Sequence, residues 1–284
     1  MEAEAQFIHY QLKEAMPSLM KEGQQNDGRA QYALGQIFLT QGIYTGDTRT
    51  LLRSMAAFSK GKEDSEEKVL CRSACCTMEV GGLSRTGKTE DDVAMADALS
   101  RMAEGGDVLA MTEWAACLLY GTGTEKDAEE SLSWLRRAAS QDYWLARLRL
   151  LQTERLKEDR ESRRDVFNQA NHLALMGVPD GEFYLGECYE AGWGTEPAWN
   201  KAVYHYEWAY SLGNPAAAMR LANGYLRDTG NEESEAKAME WLRLADEKGN
   251  GEASYRLGKM YASRGEKEKT WAAVSRACLR NYPA

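Results

Sequence analysis

A chain of 284 residues with 43% hydrophobic and 10% aromatic side chains, and only 5 prolines, has ample apolar surface to fold and lacks the composition of a disordered segment. Its 44 acidic against 35 basic residues leave a formal net charge of -9, which argues against a nonspecific grip on nucleic acid or on an anionic membrane. No apolar run reaches the roughly 18 residues of a membrane span, and the opening MEAEAQF is acidic where a secretory signal is basic and then apolar, so a cytoplasmic protein is expected.

In chain order, the stretch from Glu4 to Lys21 sets Phe7, Ile8, Leu12 and Leu19 at helical spacing among acids, which predicts a capping helix within residues 1–29. A recurring pattern then begins. AQYALGQIFLTQG starts at Ala30, and VLCRSACCTMEVGG can be laid on it with Leu70 as anchor; both copies run to 40 residues. AMTEWAACLLYGTGTEKD follows from Ala110, then GEFYLGECYEAGWGTEPA from Gly181, AMRLANGYLRDTGNEE from Ala217 and ASYRLGKMYASRG from Ala253. With a further anchor at Ala146, the steps are 36, 35, 36 and 36 residues. A fixed period of that size means one supersecondary unit stacked on copies of itself, with units starting near residues 30, 70, 110, 146, 181, 217 and 253 and one continuous array over 30–284.

Each slot has a physical role. From Ala217, Leu221, Ala222 and Tyr225 follow at offsets four, five and eight, then Ala238, Trp241, Ala245 and Gly249 at twenty-one, twenty-four, twenty-eight and thirty-two. Trp114, Ala115, Leu118, Ser131, Trp134, Ala138 and Asp142 fill the same slots from Ala110. The two sets lie at helical spacing, so each unit is predicted to be two antiparallel helices. Offset five holds Gly35, Ala115, Gly186, Ala222 or Gly258, small residues that suit a close approach of the partner helix. Gly121, Gly123, Gly192 and Gly194 supply turn positions between the helices, and Gly213 or Gly249 ends a second helix.

This pattern resembles the Sel-one-like repeat, a relative of the tetratricopeptide repeat, whose units carry AxxxLGxxYxxGxG followed by an alanine, an aromatic, paired alanines and a glycine. The resemblance spans about Ala110 to Tyr261 and extends back to Ala30; the copy from Ala146, ARLRLLQTERLKEDRESRRD, has lost the glycines and the tyrosine, and the last unit is truncated near Pro283. It implies an all-α, right-handed α-solenoid of about six to seven antiparallel two-helix repeats, serving as adaptor, scaffold or regulatory binder and without catalysis. The tetratricopeptide relationship also implies that a partner lies along the first helices of successive repeats.

If offsets four, five and eight point into the core, offsets two, three, six, nine and ten face the other way. They give Thr112, Glu113 and Ala116, then Phe183, Tyr184, Glu187 and Glu190, then Met219, Arg220, Asn223 and Arg227, then Tyr255, Arg256 and Lys259. The last two repeats thus bring basic and aromatic residues together, a composition suited to an acidic segment of a protein partner, because arginine binds carboxylates through charge-assisted, often bidentate hydrogen bonds. The plainer alternative is an ordinary solvated helix face. A dimer through the truncated last unit, around Trp271 and Val274, is a further possibility.

One segment points to different chemistry. Gly82 to Thr89 reads GLSRTGKT and satisfies GxxxxGK[ST], in which Gly82 and Gly87 would let backbone amides cradle phosphates, Lys88 would reach the terminal phosphates and Thr89 would hold magnesium. That mechanism needs a buried strand before the loop, whereas LCRSACCTMEVG fits a first helix, and no later apolar strand ends in an aspartate for the metal. A nucleotide-responsive protein is therefore the weaker reading. No cofactor, metal site or catalytic residue is expected: there is no GxSxG or HExxH, and the cysteines Cys71, Cys75, Cys76, Cys117, Cys188 and Cys278 have no paired ligand spacing and are expected as mostly buried thiols. The run ERLKEDRESRRD from Glu154 to Asp165 reads as a solvated helix face or loop, and His205 occupies an aromatic packing slot.

Overall fold

The computed structural model describes residues 2–25, 27–61, 69–74, 89–157, 159–228, 230–280 and 282. Every regular element among them is a helix: α1 (Glu2–Ile8), α2 (Leu12–Gln24), α3 (Gly28–Thr45), α4 (Thr48–Lys60), α5 (Glu90–Glu104), α6 (Val108–Tyr120), α7 (Ala128–Ala139), α8 (Trp144–Glu154), α9 (Arg160–Leu175), α10 (Pro179–Ala191), α11 (Trp199–Ser211), α12 (Ala216–Tyr225), α13 (Glu232–Glu247), α14 (Gly251–Ser263) and α15 (Lys267–Leu279), with residues 69–74 also helical. Two compact units are formed, one of residues 1–43 and 47–178, the other of 44–46 and 179–284.

Helix boundaries follow local chemistry. The side chains of Asp47, Asp107, Asp127, Asp159, Asn231 and Asn250 accept backbone N–H bonds in the first turns of α4, α6, α7, α9, α13 and α14, satisfying donors that no intrahelical carbonyl reaches. At the end of α6, Gly121 has φ 76° and its N–H bonds the Cys117 carbonyl, a left-handed cap that any side chain would strain. The capping segment is two helices rather than one, because the chain breaks at Tyr10, which adopts φ 62°.

Within each unit the helices pair α3 with α4, α6 with α7, α8 with α9, α10 with α11, α12 with α13 and α14 with α15, as the repeat predicts. Offset five is where the two helices of a pair come nearest. A Cβ added to Gly35 would lie 2.3 Å from the Phe58 ring, one at Gly186 2.5 Å from Tyr206, and one at Gly258 2.8 Å from Val274. Ala115 and Ala222 fill the same slot and are buried. In the first unit the carbonyl at this slot is reached from across the gap: Ser54 Oγ donates to the Gly35 oxygen at 2.8 Å and Ser131 Oγ to the Ala115 oxygen at 2.7 Å. In the second unit Ala202 and Ala238, fully buried, stand on the facing helices instead.

Residues expected on an open face of the first unit are inside it. Thr112 and Glu113 are fully buried and Ala116 is nearly so. The Glu113 carboxylate accepts from Tyr32 Oη at 2.7 Å and Ser73 Oγ at 2.8 Å and pairs with Arg149 Nη2 at 3.0 Å, so partners come from three other repeats. Arg149 also donates to the Thr112 carbonyl. Burial pushes the Tyr32 phenol well above its ordinary value, and the neighbouring Glu113 charge adds to this. An unpaired carboxylate here would be strongly destabilising, so the hub fixes which side chains may meet. Around it, Phe7 of α1 packs on Tyr143 and edge-on to Trp144, and Glu4 pairs with Arg29, which also bonds Asp107.

Glu154, read from the sequence as part of a solvated charge run, is buried instead. It pairs with Arg136 and with Lys157 at 3.3 Å, and accepts from Ser162 Oγ at 3.1 Å. Cys71, Cys117 and Cys188 are buried and Cys278 is exposed, while Cys75 and Cys76 lie outside the described residues. The last helix is held by Asp246 of α13, which takes hydrogen bonds from Ser254 Oγ at 2.5 Å, Arg276 Nε at 2.9 Å and Arg280. Burial alone would raise its carboxyl, but the bonds from Arg276, Ser254 and Arg280 outweigh burial and hold it below the ordinary aspartate value.

Two outcomes are expected. Gly186→Val forces the Tyr206 ring or the helix backbone to move and should lower stability by about 1–3 kcal/mol, as overpacking does; an unchanged denaturation curve would show that the pair does not depend on close approach. A carboxyl with a depressed pKa contributes stability that is complete above its unfolded value of about 3.9 and is lost as pH falls through the lowered folded value. Asp246→Asn should therefore melt earlier than wild type at pH 7, with the gap closing as pH falls through the lowered folded value. Thermal melts across that range check it, and a pH-independent gap would remove the Asp246 carboxylate as the lock.

Candidate functional site

In the second unit the first helices α10, α12 and α14 carry every residue expected at the binding face except Arg227, which stands just beyond α12. Phe183, Tyr184 and Glu187 lie on α10, Met219, Arg220 and Asn223 on α12, and Tyr255, Arg256 and Lys259 on α14. Their exposure is graded. Tyr184, Glu187 and Met219 are buried, Phe183, Arg220, Asn223, Tyr255 and Arg256 are half-buried, and Arg227 and Lys259 are exposed.

The arginines do not stand free. Arg220 pairs with Glu187, and its guanidinium lies 6.0 Å from the Phe183 ring centroid. Arg227 pairs with Glu190 at 2.6 Å, and that carboxylate also accepts from Tyr206 Oη at 2.6 Å. Arg256 donates to Asn223 and pairs with Glu252 at 2.5 Å. Two of these contacts repeat one geometry: the residue at offset three of one repeat bonds the residue at offset six of the repeat before, 33 positions earlier, as Arg220 to Glu187 and Arg256 to Asn223. The face is thus an inter-repeat ladder of partly exposed, pre-oriented guanidiniums rather than a basic patch seeking neutralisation. Lys259 is different. Its Nζ lies 5.4 Å from the Tyr255 ring centroid, and no carboxylate among the described residues is within ion-pair distance of it.

Two hollows open on this unit. One, of about 440 Å³, is lined by Leu226, Glu252, Tyr255, Arg256, Lys259, Met260 and Tyr282. The other, of about 550 Å³, is lined by Trp199, Tyr225, Arg227, Asp228 and Ser234, together with Glu190 and Gly224. At Gly224 a Cβ would lie 1.8 Å from the Trp199 ring, so this glycine seats the indole. Trp199 and Tyr282 stand outside the recurring pattern: the first opens α11 at none of the recurring offsets, and the second follows the last helix.

His205 packs, as its aromatic slot suggests, but it also bonds. Its Nδ1 is 2.7 Å from Glu182 Oε2 and its ring stacks on Tyr189 at 5.2 Å, a second inter-helix tie within the α10 and α11 pair. Of the phosphate-loop-like segment, Gly82, Gly87 and Lys88 lie outside the described residues. Thr89 is the N-cap of α5: its hydroxyl accepts from the Asp92 N–H, and the Asp92 carboxylate accepts from the Thr89 N–H. No group of histidine, cysteine, aspartate and glutamate among the described residues could hold a metal ion, and no helix among them is long and apolar enough to cross a membrane.

Comparison with known proteins agrees with the repeat architecture. The profile of the Sel1 repeat matches residues 28–48, 108–143, 179–214 and 215–250, each segment starting two residues before an anchor read from the sequence. No curated protein matches the chain. Among solved structures, a protective antigen of uropathogenic Escherichia coli strains with an SLR fold is 22% identical, with a TM-score of 0.58, covering 93% of this chain and 56% of its own. The chain therefore spans little more than half the length of that antigen. A Sel1 repeat protein from Oxalobacter formigenes is 20% identical, also at a TM-score of 0.58, covering 86% of this chain and 98% of its own. These likenesses establish the fold, an α-solenoid of two-helix repeats, and the matched segments show that the chain carries Sel1 repeats in the register derived from the sequence.

Proposed function

We propose that the chain is a non-catalytic interaction module, an adaptor, scaffold or neutralising binder, that holds a protein partner on the first-helix face of its second unit. The observation that carries this reading is the ladder of Arg220, Arg227 and Arg256, each oriented by a neighbouring side chain and each still 36–65% exposed beside Phe183 and Tyr255. Orienting costs are met before any partner arrives, and the remaining N–H donors face solvent between aromatic rings, the mixture that concentrates binding energy at protein interfaces. Partners with acidic segments suit this face better than basic ones, since Lys259 adds a positive charge that no carboxylate of the face offsets. The cytoplasm is the proposed compartment, on the strength of the burial of Cys71, Cys117 and Cys188 and the lack of paired cysteine spacing. Nucleotide binding through Gly82 to Thr89 has less to recommend it, because the Thr89 hydroxyl is already engaged in capping α5.

Co-purification from native lysate tests the reading when three variants are compared with wild type. Arg220→Glu combined with Arg256→Glu reverses charge on the first-helix face, and Tyr204→Ser combined with Trp208→Ser removes exposed aromatics from α11, where they are 62% and 49% exposed. Lys88→Ala removes the lysine of the phosphate-loop-like segment. The expected outcome is a stoichiometric partner lost only in the first variant. Loss in the α11 variant instead would move the site to the second helices, and loss in Lys88→Ala would favour the nucleotide reading.

A further inference from the structure

Resting on that reading, we infer that the hollow between Leu226, Tyr255, Lys259, Met260 and Tyr282 is the anchor point of the face, and that it takes a large apolar side chain of a partner segment whose adjacent residue is an aspartate or glutamate. The floor supplies the first half of this chemistry. Leu226 and Met260 are aliphatic, and the rings of Tyr255 and Tyr282 meet at 5.5 Å with a tilt of 37°, so the walls offer apolar surface and ring faces. At about 440 Å³ the hollow is large enough for one aromatic or branched side chain and part of its backbone, within the usual range for such sites.

The rim supplies the second half. The lining carries two cations, Arg256 and Lys259, and one carboxylate, Glu252, which pairs with Arg256. Arg256 is committed to Glu252 and Asn223, which hold its fork in place, whereas Lys259 lies over the Tyr255 ring with no carboxylate among the described residues within ion-pair distance. An ammonium is a compact point charge with three rotatable donors, which suits a single carboxylate rather than a bidentate fit. One anion beside one large apolar group is therefore the complement of this hollow. The neighbouring hollow at Trp199, Tyr225 and Arg227 is lined by the residues on either side of Leu226. The occupant assigned is accordingly an internal stretch of extended chain that carries the acidic side chain and continues toward the second hollow, not a chain end.

The probe is a phage library of random dodecapeptides held at both ends, selected on the full-length protein, with the enriched peptides then synthesised and titrated. The expected consensus places Asp or Glu next to Trp, Phe, Tyr, Leu or Met. Lys259→Glu and Tyr255→Ala should each weaken binding about tenfold or more, the effect of losing one charge-assisted contact or one buried anchor, while Lys259→Arg retains most of it. Lys259 is exposed, so its variants should melt as wild type does, and a melting curve checks this. Peptides that bind Lys259→Glu as tightly as wild type but lose affinity on Arg220→Glu overturn the anchor while leaving the first-helix face standing. Enriched peptides indifferent to all of these substitutions, or no enrichment, overturn both, and a consensus that works only with a free C-terminal carboxylate overturns the internal-segment assignment.

Discussion

The close approach of two helices at one small residue per repeat is the constraint on which everything else in this protein rests. Where Gly35, Gly186 or Gly258 stands, an added methyl group would lie within 3 Å of a side chain on the partner helix, so backbone separation is set by the absence of a side chain rather than by its shape. That spacing places Phe58, Tyr206 and Val274 directly over the gap and turns the residues at offsets four and eight inward. Glycine is a poor helix former, and its use here, mid-helix and repeatedly, makes sense only as a packing device.

Once the separation is set, the remaining face of each first helix has a fixed position relative to the next repeat, and polar side chains there meet partners one repeat away. Both units exploit this, with different results. In the first, Glu113 collects Tyr32, Ser73 and Arg149 from three repeats and is sealed inside. In the second, Arg220 and Arg256 reach back 33 residues to Glu187 and Asn223 and stay part-exposed. A buried ion pair of the first kind adds little net stability but is strongly destabilising to break, because it leaves an uncompensated buried charge. The second kind leaves oriented donors at the surface, which is why the interaction face is assigned to α10, α12 and α14 rather than to their counterparts upstream.

Much of this was legible in the sequence because a repeat averages its own noise. The period, the helix pairs, the close-approach slot and the turn glycines all recur, and the structure places them in the predicted register. What the sequence did not reveal is what depends on a single repeat or on distant partners. Glu113 and Thr112 occupy the same offsets as Tyr184 and Phe183, yet they are fully buried because Tyr32, Ser73 and Arg149 converge on them, and no offset within one repeat encodes that convergence. Glu154 read as solvated because its run is mixed in sign, but Arg136 and Ser162 bring it inside. The break at Tyr10 divided a stretch whose apolar spacing was helical throughout. At the candidate site the sequence places the residues one by one but not their mutual pairing, so the expected basic patch is a ladder in which Lys259 alone has no carboxylate among the described residues within ion-pair distance.

Site-specific photo-crosslinking tests most directly whether the first-helix face is the working surface. A photoreactive phenylalanine analogue placed at Phe183 or Tyr255 reports contact on that face, and the same analogue at Tyr204 or Trp208 reports contact on the outer side of α11. The account predicts partner adducts from positions 183 and 255 and none from 204 and 208. Adducts confined to 204 and 208 would contradict it.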